Sequence, residues 1–219
     1  MTTRGQFDKG LEELRNEIIA LAHMVESQIT GAISALKDQD MDMANELIVN
    51  DLKVNDLQAE IEERCMLLIA TQQPFARDLR KIVAGFKISI NLERMGDLAV
   101  DIAKMALRIG KEPLIKPLID IPRMCETVKA MVEGGVNSYL NEDESLARQM
   151  SKLDDTIDHL YNQIYRELLV FMIEDPKTIT QATYLIFTAR FLERMGDYCT
   201  NIAEEIVYIV SGRRSELNS

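Results

Sequence analysis

The sequence predicts an all-α protein made of two tandem three-helix bundles, six long helices in all. Three observations carry this. Apolar residues recur at steps of three and four, the spacing of one helix face. The five prolines fall in three places only, at Pro74, in the cluster Pro113, Pro117 and Pro122, and at Pro176, leaving long stretches uninterrupted. The second half also repeats the first at the residue level. Gly31 and Gly134, Asp40 and Asp143, and Asp51 and Asp154 stand 103 positions apart, and Glu93 and Glu193 stand 100 apart.

The first helix carries Leu11, Leu14, Ile18, Leu21, Val25, Ile29, Ile33 and Leu36 on one face. Asp38-Gln39-Asp40 interrupts it, and Asp40 is placed to cap a second helix that runs to about Thr71, ahead of Gln73-Pro74. A third runs from about Phe75 to Ile109, closed by Gly110. Residues 111–122 read as a proline-rich linker between a first repeat, 1–110, and a second, 123–219. A fourth helix spans about Arg123 to Leu140. A fifth shows Leu146, Met150, Leu153, Ile157, Leu160, Ile164 and Leu168 and stops before Asp175-Pro176. The sixth runs to about Val210, with Gly212 just beyond. No strand is expected, because alternating β-branched runs bounded by turn residues are missing.

Composition narrows the function. Hydrophobic residues make up 47%, aromatics only 5%, and there are 12 Met and no Trp, material that suits helix seams better than a β-sandwich. With 36 acidic against 25 basic residues the net charge is −11, which argues against nucleic-acid binding and favours cations and basic partner surfaces. Cys65, Cys125 and Cys199 are odd in number, far apart and without a C-x-x-C pair, as expected for buried thiols in a reducing cytoplasm. The N-terminus opens no apolar signal region, and no apolar run reaches the ~20 residues of a membrane span, so no membrane insertion is expected.

Two blocks carry candidate chemistry, Glu93-Arg94-Met95-Gly96-Asp97 and Glu193-Arg194-Met195-Gly196-Asp197. Residues four apart on a helix project roughly 40° apart and about 6 Å along the axis. Glu93, Asp97 and Asp101 therefore form one stripe, and Glu193, Asp197 and Asn201 its counterpart. Both lie in helices apolar enough to be central in a bundle, and Gly96 and Gly196 point to the close approach of another element. The preceding helix of each unit offers Asp51 with Asn55, and Asp154 with Asp158. Antiparallel pairing would bring four or five oxygen donors together per unit. All-oxygen ligation favours hard ions, Mg²⁺, Mn²⁺, Ca²⁺ or iron, and disfavours zinc for want of nearby His or Cys. A purely structural arrangement, with the carboxylates paired to Arg94, Arg190 or Arg194, competes with metal binding. His23 and His159 read as partly exposed helix residues. No Glu-x-x-His di-iron spacing, phosphate-binding glycine loop or nucleophile with a histidine partner is present, so no enzyme and no organic cofactor are expected.

With those residues in view, the chain resembles the PhoU family of phosphate-uptake regulators. The resemblance rests on the segment from Gln72 to Ile82 and on the two Glu-Arg-Met-Gly-Asp blocks, and it spans nearly the whole chain. It implies a PhoU-like pair of three-helix bundles related by a pseudo-twofold. It implies a cytoplasmic negative regulator of the phosphate regulon and of high-affinity phosphate uptake, reaching the inner membrane only through its partners. Those would be the ATPase subunit of the phosphate ABC transporter and the phosphate sensor histidine kinase, with a homodimer as the expected assembly. The metal motifs of the family fall here on Glu93, Asp97 and Asp101, on Asp154 and Asp158, and on Glu193 and Asp197. Asn201 and Asn55 depart from the carboxylate pattern, so the two sites are expected to differ. Arg77 and Arg80 are candidate partner contacts. A metal-free helical adaptor and a carboxylate-bridged metal enzyme stand as alternatives.

Overall fold

The structure, a computed structural model, describes residues 3–217; positions 1–2 and 218–219 of the two expected repeats lie outside the described residues. Among the described residues the secondary structure is helical throughout. The six expected rods are present, but two are broken. The first repeat comprises α1 (Thr3–Asp38), α2 (Met41–Asn50), α3 (Leu52–Gln72) and α4 (Ala76–Ile109). The second comprises α5 (Asp120–Asn141), α6 (Glu144–Ser151), α7 (Asp154–Glu174) and α8 (Ile179–Ser211), with a 3₁₀ turn at Pro176–Thr178.

The helix ends follow local chemistry. Asp40 caps α2 by accepting from the backbone N–H of Asp42 and Met43 at 3.1 and 2.9 Å. Its repeat mate Asp143 caps α6, accepting from Leu146 N–H at 3.1 Å. Gly110 and Gly212 close α4 and α8 at φ +65° and +71°, a region that suits glycine, and their N–H groups bond Ala106 O and Tyr208 O.

Three boundaries differ from the sequence reading. The second rod breaks at Asp51 and the fifth at 152–153. The backbone there stays near helical values, φ −58° and ψ −30° at Asp51, so the apolar period runs through the bend unaltered. The fourth helix starts at Asp120 rather than near Arg123. Pro122 sits in its first turn, where its missing N–H costs nothing, and the linker shortens to match. That linker is not a loose tether. Leu114, Ile115 and Leu118 pack on the core, and Gln181 fastens it, accepting from Ile115 N–H at 2.6 Å and donating to Pro113 O at 3.2 Å.

α4 and α8 form the middle of the molecule and are buried on most sides. α1 and α3 cover α4, and α5, α6 and α7 cover α8. The two central helices run antiparallel in a register fixed by side chains. Lys87 Nζ meets Glu205 at 2.7 Å, Arg94 lies 5.9 Å from the Tyr198 ring centroid, and Arg108 lies 5.9 Å from that of Tyr184. In each pair the residue numbers sum to 292, which sets Gly96 level with Gly196 on the pseudo-twofold. One helix, α1, is long and apolar enough to cross a membrane by length and composition, a test that the core helix of a bundle also passes. Its apolar face, from Leu14 through Leu36, is instead buried in the core.

A single apolar core runs through both repeats, joining Leu92 and Met95 of α4 to Leu192 and Met195 of α8. Shared burial predicts shared unfolding. All six tyrosines lie in the second half and Trp is absent, so all the intrinsic emission originates in repeat two. Leu92→Ala, in repeat one, removes a side chain only 1% exposed and should cost about 2–5 kcal/mol. In urea unfolding the tyrosine transition of that variant should shift together with the far-UV circular dichroism transition. A tyrosine transition that stays in place would show the repeats to be independent.

Candidate metal centre

Each acidic face is assembled from two helices that meet beside a glycine. In repeat one, Asp51 stands at the head of α3 and faces α4 between Glu93 and Asp97. A Cβ on Gly96 would lie 3.6 Å from Asp51 Oδ1 and 3.0 Å from Gln28 Oε1. In repeat two, Asp154 opens α7. A Cβ on Gly196 would stand 2.5 Å from its Oδ1 and 3.0 Å from Ile157 Cδ1, nearer than a real methyl sits. The breaks at Asp51 and at 152–153, which the sequence does not reveal, bring these two aspartates to the glycines.

The carboxylates on α4 and α8 feel that proximity. Burial raises the Glu93 carboxyl above its ordinary range, and the charges of Asp97 and Asp51 raise it further against Arg94. Asp97 rises for the same reason, with Asp51 and Asp101 adding to burial. Glu193 is raised by burial, then by Asp197, Asp158 and Asp154, against the opposing pull of Arg190. Asp197 is raised by burial and Asp158, with Arg190 and Arg194 opposing.

Several buried oxygens at these faces have no hydrogen-bond partner: Gln28 Oε1 and Asn55 Oδ1 in repeat one, and Glu193 Oε2 in repeat two. Such atoms are rare in folded proteins and fit an oxygen-seeking cation. As the side chains stand, no three Asp, Glu, His or Cys residues among those described already close around an ion. Loading would need rotamer changes at the half-exposed carboxylates.

The structure thus brings Asp51 near Glu93 and Asp97 on one side, and on the other Asp154 and Asp158 near Glu193 and Asp158 near Asp197, while Asn55 stands one turn along α3 from Asp51. The outer positions are peripheral. Asp101 is tied to Lys104 Nζ at 2.8 Å, and Asn201 is exposed. Of the three arginines that compete as structural partners, Arg190 pairs with Glu193. Arg94 and Arg194 instead flank one ring, their Cζ atoms 5.9 and 6.0 Å from the Tyr198 centroid. Among the partner candidates, Arg77 pairs with Glu142, and Arg80 lies 3.6 Å from where a Cβ on Gly212 would stand. His23 and His159 are exposed. Sequence reasoning missed Gln28, which donates from Nε2 to Asp51 Oδ1 at 3.2 Å. Its signal was a polar side chain three residues after Val25 on the apolar face of α1.

The three cysteines are free and buried, and burial pushes the Cys65 and Cys125 thiols up to about 12. The fold and the faces define a class: a duplicated helical-bundle protein with one carboxylate face per repeat. The PhoU domain matches the chain twice, over residues 18–106 and 121–206. A Clostridium acetobutylicum protein named phosphate-specific transport system accessory protein PhoU homolog is 40% identical over 217 residues, 99% of either chain. An Aquifex aeolicus protein of the same name is 42% identical, covering 93% of this chain and 92% of its own. The crystal structure of PhoU from Pseudomonas aeruginosa matches with a TM-score of 0.90 at 33% identity, over 94% of this chain and 100% of that one. The phosphate transport system regulatory protein PhoU from Streptococcus pneumoniae matches at 0.89 and 29% identity, over 95% and 99%. This chain belongs to the PhoU family. Its role is regulatory, and it is not an enzyme.

The raised carboxyls fix a pH dependence. The native state holds protons that the unfolded chain releases above ordinary values of 4.5 for Glu and 3.8 for Asp, so these groups stabilise the fold in acid. That contribution is lost as pH rises through the native pKa values. Metal-free Asp97→Asn plus Asp197→Asn should therefore be more stable than wild type at neutral pH, and the difference should shrink as pH falls toward 4.5. Urea midpoints against pH measure it. A difference that is flat or grows in acid would contradict the assignment.

Proposed function

We propose that this protein is a cytoplasmic negative regulator of the phosphate regulon and of high-affinity phosphate uptake. It acts by contact with the phosphate transporter ATPase subunit and the phosphate sensor histidine kinase, as a homodimer, with cation-binding acidic faces. The observation that carries the phosphate reading is the 40% identity, end to end, with a phosphate-specific transport accessory protein. An adaptor of this kind needs a stable scaffold with exposed contact surfaces. Phe75 is 85% exposed beside Arg77 at the head of α4, the side chain most available to a partner there.

The cation reading is supported by the unpartnered buried oxygens and by carboxyls that resist ionisation in each other's company. An oxygen-preferring ion such as Mn²⁺, Mg²⁺ or iron would be held by Glu93, Asp97 and Asp51 in repeat one, and by Glu193, Asp197 and Asp154 in repeat two. It would supply positive charge where the fold has crowded negative charge, tying α3 to α4 and α7 to α8. One observation favours a metal-free adaptor instead: Arg190 already pairs with Glu193.

Deleting the gene should release phosphate-responsive genes from repression in high phosphate. Unchanged repression would remove the regulatory role. Complementation with Asp97→Ala plus Asp197→Ala, alongside elemental analysis of protein purified without chelator, separates the two readings. The cation reading expects bound metal in wild type, little in the variant, and impaired repression. Metal-free wild type with normal repression by the variant would leave the adaptor alone.

A further inference from the structure

The two acidic faces are unequal, and the difference lies in one pair of residues. In repeat two, Arg190 gives Nη1 to Glu193 Oε1 from one turn earlier on α8. Its guanidinium also lies over the Tyr161 ring of α7, Cζ 5.8 Å from the centroid. The repeat offsets put Ile90 where Arg190 stands and Gln58 where Tyr161 stands, so repeat one lacks both the cation and the ring that steadies it. Lys104 does not replace them. It ion-pairs Asp101, a turn beyond Asp97, and reaches Asp97 only through its charge, as Arg94 does Glu93, while Gln28 gives Asp51 a neutral amide, so no cation is bonded to the three.

The Arg190 contact is incomplete. Glu193 is only 9% exposed, and the arginine satisfies one of its oxygens, while Oε2 is buried with no hydrogen-bond partner. The arginine side chain itself is 47% exposed, so it can leave without dragging packed structure with it. The Tyr161 ring, over which it already lies, retains it when the glutamate contact is given up.

We infer that Arg190 is a built-in competitor for the cation at the second face. A divalent ion takes Glu193, Asp197 and Asp154 by displacing the guanidinium from Glu193, whereas the first face has no such competitor. The protein then loads in two steps, the first face at low cation concentration and the second only at higher concentration. The second step frees an arginine on the surface of α8. This rests on the cation reading given above.

The test is a Mn²⁺ titration of the full chain, with free ion followed by electron paramagnetic resonance. Wild type should show two classes of site, the second at least tenfold weaker. Asp97→Asn should remove the tight class and Asp197→Asn the weak one. Arg190→Ile, which installs the residue of repeat one, should bring the weak class to within about threefold of the tight one. The reciprocal Ile90→Arg should weaken the tight class, and it tests the same competition should Arg190→Ile fail to fold. Two equal classes in wild type, or a weak class unmoved by Arg190→Ile in folded protein, would overturn the competition and leave the cation reading standing. Absence of any bound Mn²⁺ would overturn both.

Discussion

The structure turns on the absence of a Cβ at Gly96 and Gly196. Each glycine lies in the interior of a central helix, where it costs about 1 kcal/mol relative to alanine. Gly196 is what lets Asp154 come against the α8 backbone, whereas Gly96 makes room for Gln28 Oε1 and Val54 Cγ1, at 3.0 and 3.2 Å from where a Cβ would stand, with Asp51 Oδ1 at an ordinary 3.6 Å. At Gly196 the space is already filled, since a methyl would meet Asp154 Oδ1 at 2.5 Å. Burial raises the carboxyls at these faces most, and the approach adds to it, Asp51 at Glu93 and Asp97 and Asp154 at Glu193. The antiparallel register of α4 and α8 then sets the two glycines level about the pseudo-twofold, each facing away from the seam toward its own partner helix.

Such an arrangement is unfavourable taken alone. Like charges four residues apart on a helix destabilise it by a few tenths of a kcal/mol, and partial burial weakens the hydration that would offset this. The shared apolar core supplies the compensating stability, and its continuity across both repeats allows charge to be crowded at the centre without loss of the fold. A positive charge brought to either face relieves the crowding. Repeat two carries a bonded relief of its own in Arg190, and repeat one has only the unbonded charges of Arg94 and Lys104. Duplication has kept the geometry and let the electrostatics diverge.

Much of this was legible in the sequence. The apolar period, the proline spacing and the residue-level repeat gave the six rods. Asp40, Gly110 and Gly212 act at the ends expected of them. The motif glycines were recognisable as points of close approach. The bends at Asp51 and at 152–153 were not, because a backbone that stays near helical angles leaves the apolar spacing intact. Pro122 misled in the other direction, since a proline in the first turn of a helix is compatible with it. α1 is hydrophobic enough to mimic a membrane span because its apolar face serves the core of a large bundle. The roles of Gln28, Arg190 and Tyr161 depend on contacts between different helices, which no spacing within one helix encodes. The Arg94–Tyr198–Arg194 arrangement likewise exists only once α4 and α8 are laid side by side.

The central claim is that the approach of Asp51 to α4 beside Gly96, and of Asp154 to α8 against Gly196, builds two cation sites. Anomalous scattering from a crystal grown with Mn²⁺ tests it most directly. The account predicts two peaks, one between α3 and α4 beside Gly96 and one between α7 and α8 beside Gly196, the first at higher occupancy. A map with no peak at either place, or with peaks only at carboxylates remote from these glycines, would contradict it.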